Sequence, residues 1–155
     1  MKGNDKMIAK LNELLAEELT AVNQYMVHAE MCDNWGYKKL HELAEKRAIS
    51  EMKHAETLIG RILFLDGTPT VSKYNKMLIG ADVELQHKND VETEYGAVKS
   101  YNEGIAIARE VGDGGTRKIL DSILKDEEDH VDALEAQLSQ IEQMGIKIYL
   151  TEQIG

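Results

Sequence analysis

Apolar residues recur every three or four positions along most of this 155-residue chain, and that period limits the fold more than any other feature. Such spacing places apolar side chains on one face of an α-helix, whereas a strand would alternate them at every second position. The sequence contains one proline, Pro69, so long helices can run without interruption. We therefore expect an all-α fold, and 155 residues suffice for a single domain, residues 1–155, with its own core.

Three groups of helix-breaking residues divide the periodic sequence. They are Asn34-Trp35-Gly36, the stretch 66–70 around Pro69, and the glycine-rich stretch 112–115. These breaks predict four long helices at about 5–34, 38–65, 83–111 and 116–144, and a short C-terminal helix at about 146–154. Residues 66–82 lack a helical period. A connection of that length can cross the whole bundle, which predicts the ferritin-like four-helix topology with one long crossover.

The residues with metal-binding chemistry recur at a constant offset of 76 positions (94 minus 18, for example). The first set is Glu18, Tyr25, Glu51 and His54, and the second set is Glu94, Tyr101, Glu127 and His130. The first two helices and the last two helices therefore carry the same side chains at the same heights. This repeat predicts a bundle with pseudo-twofold symmetry.

Four glutamates of this repeat fall on helix faces that should be buried. Glu18 and Glu94 each interrupt an apolar stripe, on the first and the third helix. The second and fourth helices each carry a Glu-x-x-His pair, Glu51 with His54 and Glu127 with His130. Residues three apart share a helix face, so each pair can converge on one metal. Burying an unpaired carboxylate costs about several kcal/mol, and two iron or manganese ions would compensate four carboxylates.

These residues allow other interpretations. A lone Glu-x-x-His on a charged helix is usually solvated surface, but two pairs matched at one offset favour a di-metal centre. A rubrerythrin-like peroxidase uses the same bundle, although its usual Cys-x-x-Cys module needs more than the one cysteine, Cys32. A metal-free structural bundle would leave the four glutamates unexplained. Tyr25 and Tyr101 are either core residues, hydrogen-bond donors to a bridging carboxylate, or local electron donors.

The charge balance excludes several other classes of function. The chain has 18 basic and 28 acidic residues and a net charge of −10, so a nucleic-acid partner is not expected. This balance, together with the absence of a basic tail, also argues against DNA protection of the small-ferritin kind. No apolar run approaches the roughly 20 residues of a membrane span, and the N-terminal residues do not have the pattern of a signal peptide. We expect a cytoplasmic protein with no membrane partner.

The sequence resembles the bacterioferritin family along essentially its whole length. The segments that carry this resemblance are Met1-Lys2-Gly3, Asn23-Gln24-Tyr25, Asn34-Trp35-Gly36, Glu51-Met52-Lys53-His54-Ala55, Arg61-Ile62-Leu63-Phe64-Leu65 and Asp126-Glu127-Glu128-Asp129-His130. The resemblance implies an iron-storage ferroxidase that oxidises Fe²⁺ with O₂ or peroxide and deposits ferric mineral in a hollow cage. The cage would contain about 24 subunits built from twofold dimers.

The resemblance also assigns roles to particular residues. The ferroxidase ligands would be Glu18, Glu51, His54, Glu94, Glu127 and His130, with Glu51 and Glu127 bridging two irons and Tyr25 contributing to catalysis. Met52 would bind haem b axially, one methionine from each of two subunits, and a small ferredoxin would supply electrons for iron release. Without the resemblance, Met52 would be interpreted as a packing residue.

The family pattern is not matched everywhere. Some members carry histidine and aspartate where this chain has Lys46 and Ser50, so an inner-surface iron site is not expected. Three residues match positions that line an iron pore in the family, although solvated surface is an equal alternative: Asn34, Asp66 and Asp132. The remaining candidates are expected to be structural or surface histidines, a packing tryptophan and an inert cysteine: His28, His41, His87, Trp35 and Cys32.

Overall fold

In a computed structural model that describes residues 1–155, the chain forms five helices and no strand. The helices are α1 (Asp5–Asn34), α2 (Lys38–Phe64), α3 (Val83–Glu110), α4 (Gly114–Met144) and α5 (Ile146–Thr151). The prediction of an all-α four-helix bundle with a long crossover and a short fifth helix is confirmed. No helix is long and apolar enough to cross a membrane.

Side-chain caps fix the starts of three long helices. The Asn4 side chain accepts from the Met7 N–H at 3.1 Å, and the Asp82 side chain accepts from the Leu85 N–H at 2.9 Å. Such caps satisfy backbone donors that have no partner within the helix. At the other end of α1, Gly36 has a φ of +84°, a left-handed conformation that closes the turn to α2 within a few residues.

Two helix ends differ from the sequence prediction. We expected the fourth helix to begin near Thr116, but α4 begins at Gly114 because Asp113 caps it and accepts from the Thr116 N–H at 2.9 Å. The guanidinium of Arg61 occupies the space that a side chain at Gly115 would need, so glycine is tolerated inside this first turn. The last helix ends at Thr151 rather than about 154, because Gln153 turns back and accepts from the Lys39 N–H.

The helices pack as two antiparallel pairs, α1 with α2 and α3 with α4. Contacts between α1 and α3 run in opposite directions along the chain: Lys6 meets Glu110, whereas His28 meets Asp90. Since α1 is antiparallel to both α2 and α3, the last two are parallel, and residues 65–82 must cross the length of the bundle.

The two largest of the three buried apolar clusters lie at different heights in the bundle. The larger cluster includes Met7, Leu11 and Leu58, and the smaller one includes Cys32, Leu40 and Tyr149. The glutamates and histidines of the repeat lie between these clusters. Apolar packing on both sides therefore holds a polar middle section in place.

Candidate metal centre

The structure brings together all six residues that the sequence proposed as ligands. Their ligand atoms form two groups, and within each group the atoms lie within 4.8 Å of one another. The first group is Glu18, Glu51, His54 and Glu127, and the second is Glu51, Glu94, Glu127 and His130. Each half of the bundle thus supplies one terminal glutamate and one histidine, while Glu51 and Glu127 belong to both groups.

Each histidine directs its Nδ1 atom at carboxylate oxygens. His54 Nδ1 lies 2.8 Å from Glu127 Oε1 and 3.4 Å from Glu18 Oε2. His130 Nδ1 lies 3.0 Å from Glu51 Oε1 and 3.4 Å from Glu94 Oε1. The two imidazole ring centres are 6.3 Å apart, so the carboxylates fill the space between them.

The atoms that face this space have no hydrogen-bond partner, although they are fully buried. They are Glu18 Oε2, Glu51 Oε1, His54 Nδ1, Glu94 Oε2, both carboxylate oxygens of Glu127, and His130 Nδ1. The short histidine–carboxylate distances therefore lack hydrogen-bond geometry. Buried polar atoms are rarely left without partners, and seven in one cluster need another source of stabilisation. Two divalent cations would supply it, and oxygen and imidazole donors suit iron.

The electrostatics of the cluster show the same deficit of positive charge. Burial, followed by the charges of Glu18, Glu51 and Glu94, raises the pKa of Glu127 well above its usual value. Burial alone would lower the pKa of His54, but Glu127 and Glu18 outweigh it and raise that pKa to about 11. A cluster that raises the pKa values of Glu51, Glu127 and His54 together attracts positive charge.

Two tyrosines hold the terminal glutamates from the opposite helix. Tyr25 on α1 donates from its hydroxyl to Glu94 Oε1 at 2.6 Å, and Tyr101 on α3 donates to Glu18 Oε1 at 2.7 Å. Neither hydroxyl bonds Glu51 or Glu127, so of the alternatives that the sequence left open, a hydrogen bond to a bridging carboxylate is not the one observed. The second oxygen of each terminal glutamate, Oε2, stays free of hydrogen bonds.

One carboxylate contact at the centre was not predicted from the sequence. Asp126 Oδ2 lies 2.8 Å from His54 Nε2, so it orients the ring whose Nδ1 faces the cluster. The position that corresponds to Asp126 in the first half of the repeat is Ser50 (126 minus 76), which cannot provide a carboxylate to His130. The position of Asp126, directly before Glu127, was the available signal.

A second buried polar network lies beside the centre and was also missed. Asp90 accepts from Gln24 at 2.9 Å and contacts His28 Nδ1 at 2.8 Å, and Arg47 donates to its other oxygen at 3.3 Å. His28 Nε2 accepts from the Gly80 N–H at 2.9 Å, which anchors the crossover. His28 is therefore a structural residue, as we expected. A network of this kind depends on long-range contacts and has no sequence motif.

Comparison with known proteins agrees with this geometry. Residues 8–144 match the family described as Ferritin-like domain. The chain is 38% identical over 149 residues to the bacterioferritin of Mycolicibacterium paratuberculosis, covering 96% of this chain and 94% of that protein. It is 38% identical to bacterioferritin BfrA of Mycobacterium tuberculosis, again covering 96% of this chain and 94% of that protein. It is 40% identical over 145 residues to the bacterioferritin of Rhodobacter capsulatus, covering 94% of this chain and 90% of that protein. The chain belongs to the bacterioferritin family.

Met52, the proposed haem ligand of this bacterioferritin-family chain, lies away from the metal cluster. Its side chain is 44% exposed on α2, one residue beyond the buried Glu51. Ile49, three residues earlier and on the same side of the helix, is also exposed. An exposed thioether with an exposed apolar neighbour suits an apolar cofactor or a partner surface, so these residues fit a haem.

The remaining residues that the family resemblance singled out, apart from one cysteine, lie on the surface. The proposed pore residues are all exposed: Asn34, Asp66 and Asp132. Asp66 contacts the N-terminal amine at 3.3 Å. Lys46 is exposed as well. Cys32 is buried, and burial raises its pKa to about 11, which keeps the thiol protonated and unreactive.

The remaining predicted structural residues have recognisable contacts. His87 Nε2 lies 2.9 Å from the Tyr149 hydroxyl, which ties α3 to α5. His41 Nδ1 lies 2.9 Å from the Ala29 carbonyl oxygen at the surface between α1 and α2. The ring of Trp35 packs edge-on against Tyr37 at the α1–α2 turn, with ring centres 6.3 Å apart.

Proposed function

We propose that this chain is an iron-storage ferroxidase, whose substrate Fe²⁺ binds and is oxidised inside the helical bundle. The observation that carries the proposal is the pair of four-residue ligand groups that share Glu51 and Glu127. Membership of the bacterioferritin family supports the role in iron storage.

The proposed roles follow from which group each residue belongs to. Glu51 and Glu127 would bridge two iron ions, Glu18 with His54 would complete one half, and Glu94 with His130 would complete the other. The bound ions supply the redox chemistry, since each can give one electron to O₂ or peroxide. The bundle binds and orients: Tyr25 and Tyr101 each fix one oxygen of a terminal glutamate, and Asp126 orients His54.

Protons have a defined place in this proposal. At neutral pH the metal-free centre holds a proton on His54, and burial together with the neighbouring carboxylates raises the pKa of Glu51 and of Glu127. Iron must displace any proton that these groups hold, since carboxylate and imidazole bind metal in their deprotonated forms. Binding of Fe²⁺ should therefore release protons before oxidation begins.

The wider assembly remains a prediction from the family resemblance. We propose a cytoplasmic cage of about 24 subunits built from twofold dimers. Met52 from two subunits would hold one haem b, and thioether ligands on both sides would favour ferrous haem for electron transfer from a ferredoxin. In this proposal the haem serves release of the stored iron and takes no part in the oxidation at the di-iron centre.

Removal of the two terminal glutamates tests the proposed centre. The double substitution of Glu18→Ala and Glu94→Ala should slow fast Fe²⁺ oxidation by about 100-fold or more, because ligand loss should cost at least as much as loss of an outer partner. The matched control is Glu128→Ala, which changes an exposed glutamate beside Glu127 and should keep the wild-type rate. Oxidation at the wild-type rate in the double variant would contradict the assignment.

A further inference from the structure

Three surface openings reach the metal cluster, and they differ in what they expose. One cavity, of about 310 Å³, lies between α1, α3 and the crossover, and we call it the α1–α3 cavity. It is lined by four of the cluster carboxylates: Glu18, Glu51, Glu94 and Glu127. The His130 opening, of about 140 Å³, and the His54 opening, of about 430 Å³, lie between α2 and α4 and each reach a single histidine of the cluster.

The charges that flank these openings also differ. Outside the cluster, the α1–α3 cavity is lined by Glu17 and Glu92, with Lys76 as its one cationic residue. The His130 opening is lined by Lys46 and Arg47. The His54 opening is lined by Lys53 and Lys118, with Asp126 as its one acid. A cation approaching the centre is therefore attracted at the α1–α3 cavity and repelled at the other two.

The α1–α3 cavity also presents unpartnered ligand atoms. Glu18 and Glu94 are at most 1% exposed, and their Oε2 atoms have no hydrogen-bond partner. Glu17 lines the same cavity, has an unpartnered Oε2, and is partly exposed where Glu18 is buried. A cation passing along this cavity would meet Glu17 as well as the carboxylates of the centre, without having to displace a histidine ring.

Small residues keep this cavity open. Ala21, Gly96 and Ala97 line it, and Gly96 lies in the middle of α3, where glycine is less stable than alanine. A Cβ at Gly96 would meet nothing within 4 Å, so close packing does not require glycine there. An open cavity wall is a reason for a small residue at this position.

We propose that Fe²⁺ reaches the centre through the α1–α3 cavity and that Glu17 is its first protein ligand, ahead of Glu18 and Glu94. This inference rests on the proposed function. It assigns to Glu17, which no family motif singled out, the binding of a partly hydrated divalent cation on its way inward. The His130 opening and the His54 opening, which are flanked by lysine and arginine, would then serve the movement of iron away from the centre.

The test measures metal loading without turnover. Metal-free protein in its native assembly is mixed with Co²⁺ in a stopped-flow instrument, and the absorption of bound Co²⁺ gives both the loading rate and the final stoichiometry. We expect Glu17→Gln, which keeps the size and removes the charge, to slow loading by about tenfold. Both wild type and variant should still reach two Co²⁺ per chain, as the paired ligand groups imply.

Variants that fill one opening at a time distinguish the α1–α3 cavity from the His130 opening as the route of metal entry. Gly96→Leu should slow loading as Glu17→Gln does, whereas Gly96→Ala, with a Cβ that meets nothing, should load at the wild-type rate. Ala133→Leu narrows the His130 opening and should have no effect. Slow loading in Ala133→Leu with normal loading in Glu17→Gln and Gly96→Leu would overturn the proposed route.

Stoichiometry distinguishes failure of the route from failure of the function. Fewer than two Co²⁺ per chain in Glu17→Gln would make Glu17 a ligand of the final centre and overturn its role as the first ligand. No Co²⁺ bound by the wild-type protein would overturn the proposed di-metal centre itself, and the route with it.

Discussion

Neutralising Glu127, one of the two proposed bridging carboxylates, should stabilise the metal-free protein while damaging its metal binding. Glu127 is fully buried, both of its oxygens lack hydrogen bonds, and three further glutamates raise its pKa. Glu127→Gln keeps the shape and removes the charge. His54 would lose its 2.8 Å contact but keep Glu18 at 3.4 Å and Glu51 at 3.6 Å, so the imidazolium is not stranded.

The size of the effect follows from the cost of buried charge. Replacing poorly compensated buried ionic groups by neutral ones of similar volume is neutral or stabilising by about 1–4 kcal/mol. We expect about 2 kcal/mol at pH 7 for Glu127→Gln, which for a chain of 155 residues corresponds to a rise in Tm of about 4–8 °C. Glu128→Gln, the exposed neighbour, should shift Tm by less than about 1 °C.

The assay is thermal unfolding followed by circular dichroism, first with a chelator and then with Co²⁺. Metal at 100 times its dissociation constant should stabilise the wild type by about 3 kcal/mol, and a protein that has lost a bridging ligand should gain far less. The order of the two stabilities should therefore reverse when metal is added. A metal-free Glu127→Gln protein that is less stable than wild type would refute the view that the empty cluster is destabilised by its own charge.

The pH dependence of metal-free stability gives an independent check. Glu51 and Glu127 have folded-state pKa values raised by burial and by neighbouring carboxylates. Such groups contribute stability below the unfolded pKa of about 4.5, which is lost as pH rises towards the raised folded pKa. Bound metal should remove this loss, so the stability curves with and without Co²⁺ should diverge as pH rises above about 4.5.

Three further predictions concern single side chains. Tyr101→Phe should reduce stability by about 1–3 kcal/mol, because the Tyr101 hydroxyl bonds the buried Glu18 carboxylate. It should also slow Fe²⁺ oxidation. An unchanged stability together with an unchanged oxidation rate would show that this hydrogen bond is incidental. Burial and the Arg47 guanidinium lower the pKa of His87 to about 4. Up to about 3 kcal/mol of stability should therefore be lost as pH falls from about 6.5 through 4, because the imidazole is then protonated in the unfolded chain but not inside the fold. In urea titrations over that pH range, His87→Gln should lose less stability than the wild type. Met52→His should alter the absorption spectrum of a haem-loaded protein, and an unaltered spectrum would return Met52 to packing.

The sequence predicted most of the centre because helix periodicity and metal-ligand chemistry are both local properties. Residues three or four apart share a helix face, so the Glu-x-x-His pairs and the glutamates in apolar stripes could be assigned without knowing how the helices pack. The 76-residue offset then implied that the two halves meet at the same height. These inferences needed only the regular geometry of an α-helix.

The features that escaped prediction depend on contacts across the bundle. The sequence left the role of the tyrosines open, because the bond from Tyr25 to Glu94 joins α1 to α3. The network around Asp90 joins α1, α2, α3 and the crossover, whose backbone follows no period. The start of α4 was placed too late because its cap, Asp113, is held by a hydrogen bond from Arg61, 52 residues earlier in the chain.

The two histidines of the cluster have different surroundings, although the 76-residue repeat makes them equivalent in sequence. The repeat makes the two halves of the cluster equivalent in ligand type, yet Asp126 supports His54 at 2.8 Å whereas Ser50 stands at the matching position beside His130. The ring of His130 is 18% exposed against 7% for that of His54. One histidine is therefore held by a second carboxylate and better shielded, and the other is held by the cluster alone. Because a supported imidazole is a better oriented and more basic ligand, the half-site of Glu18 and His54 should bind the first metal ion more tightly than the half-site of Glu94 and His130.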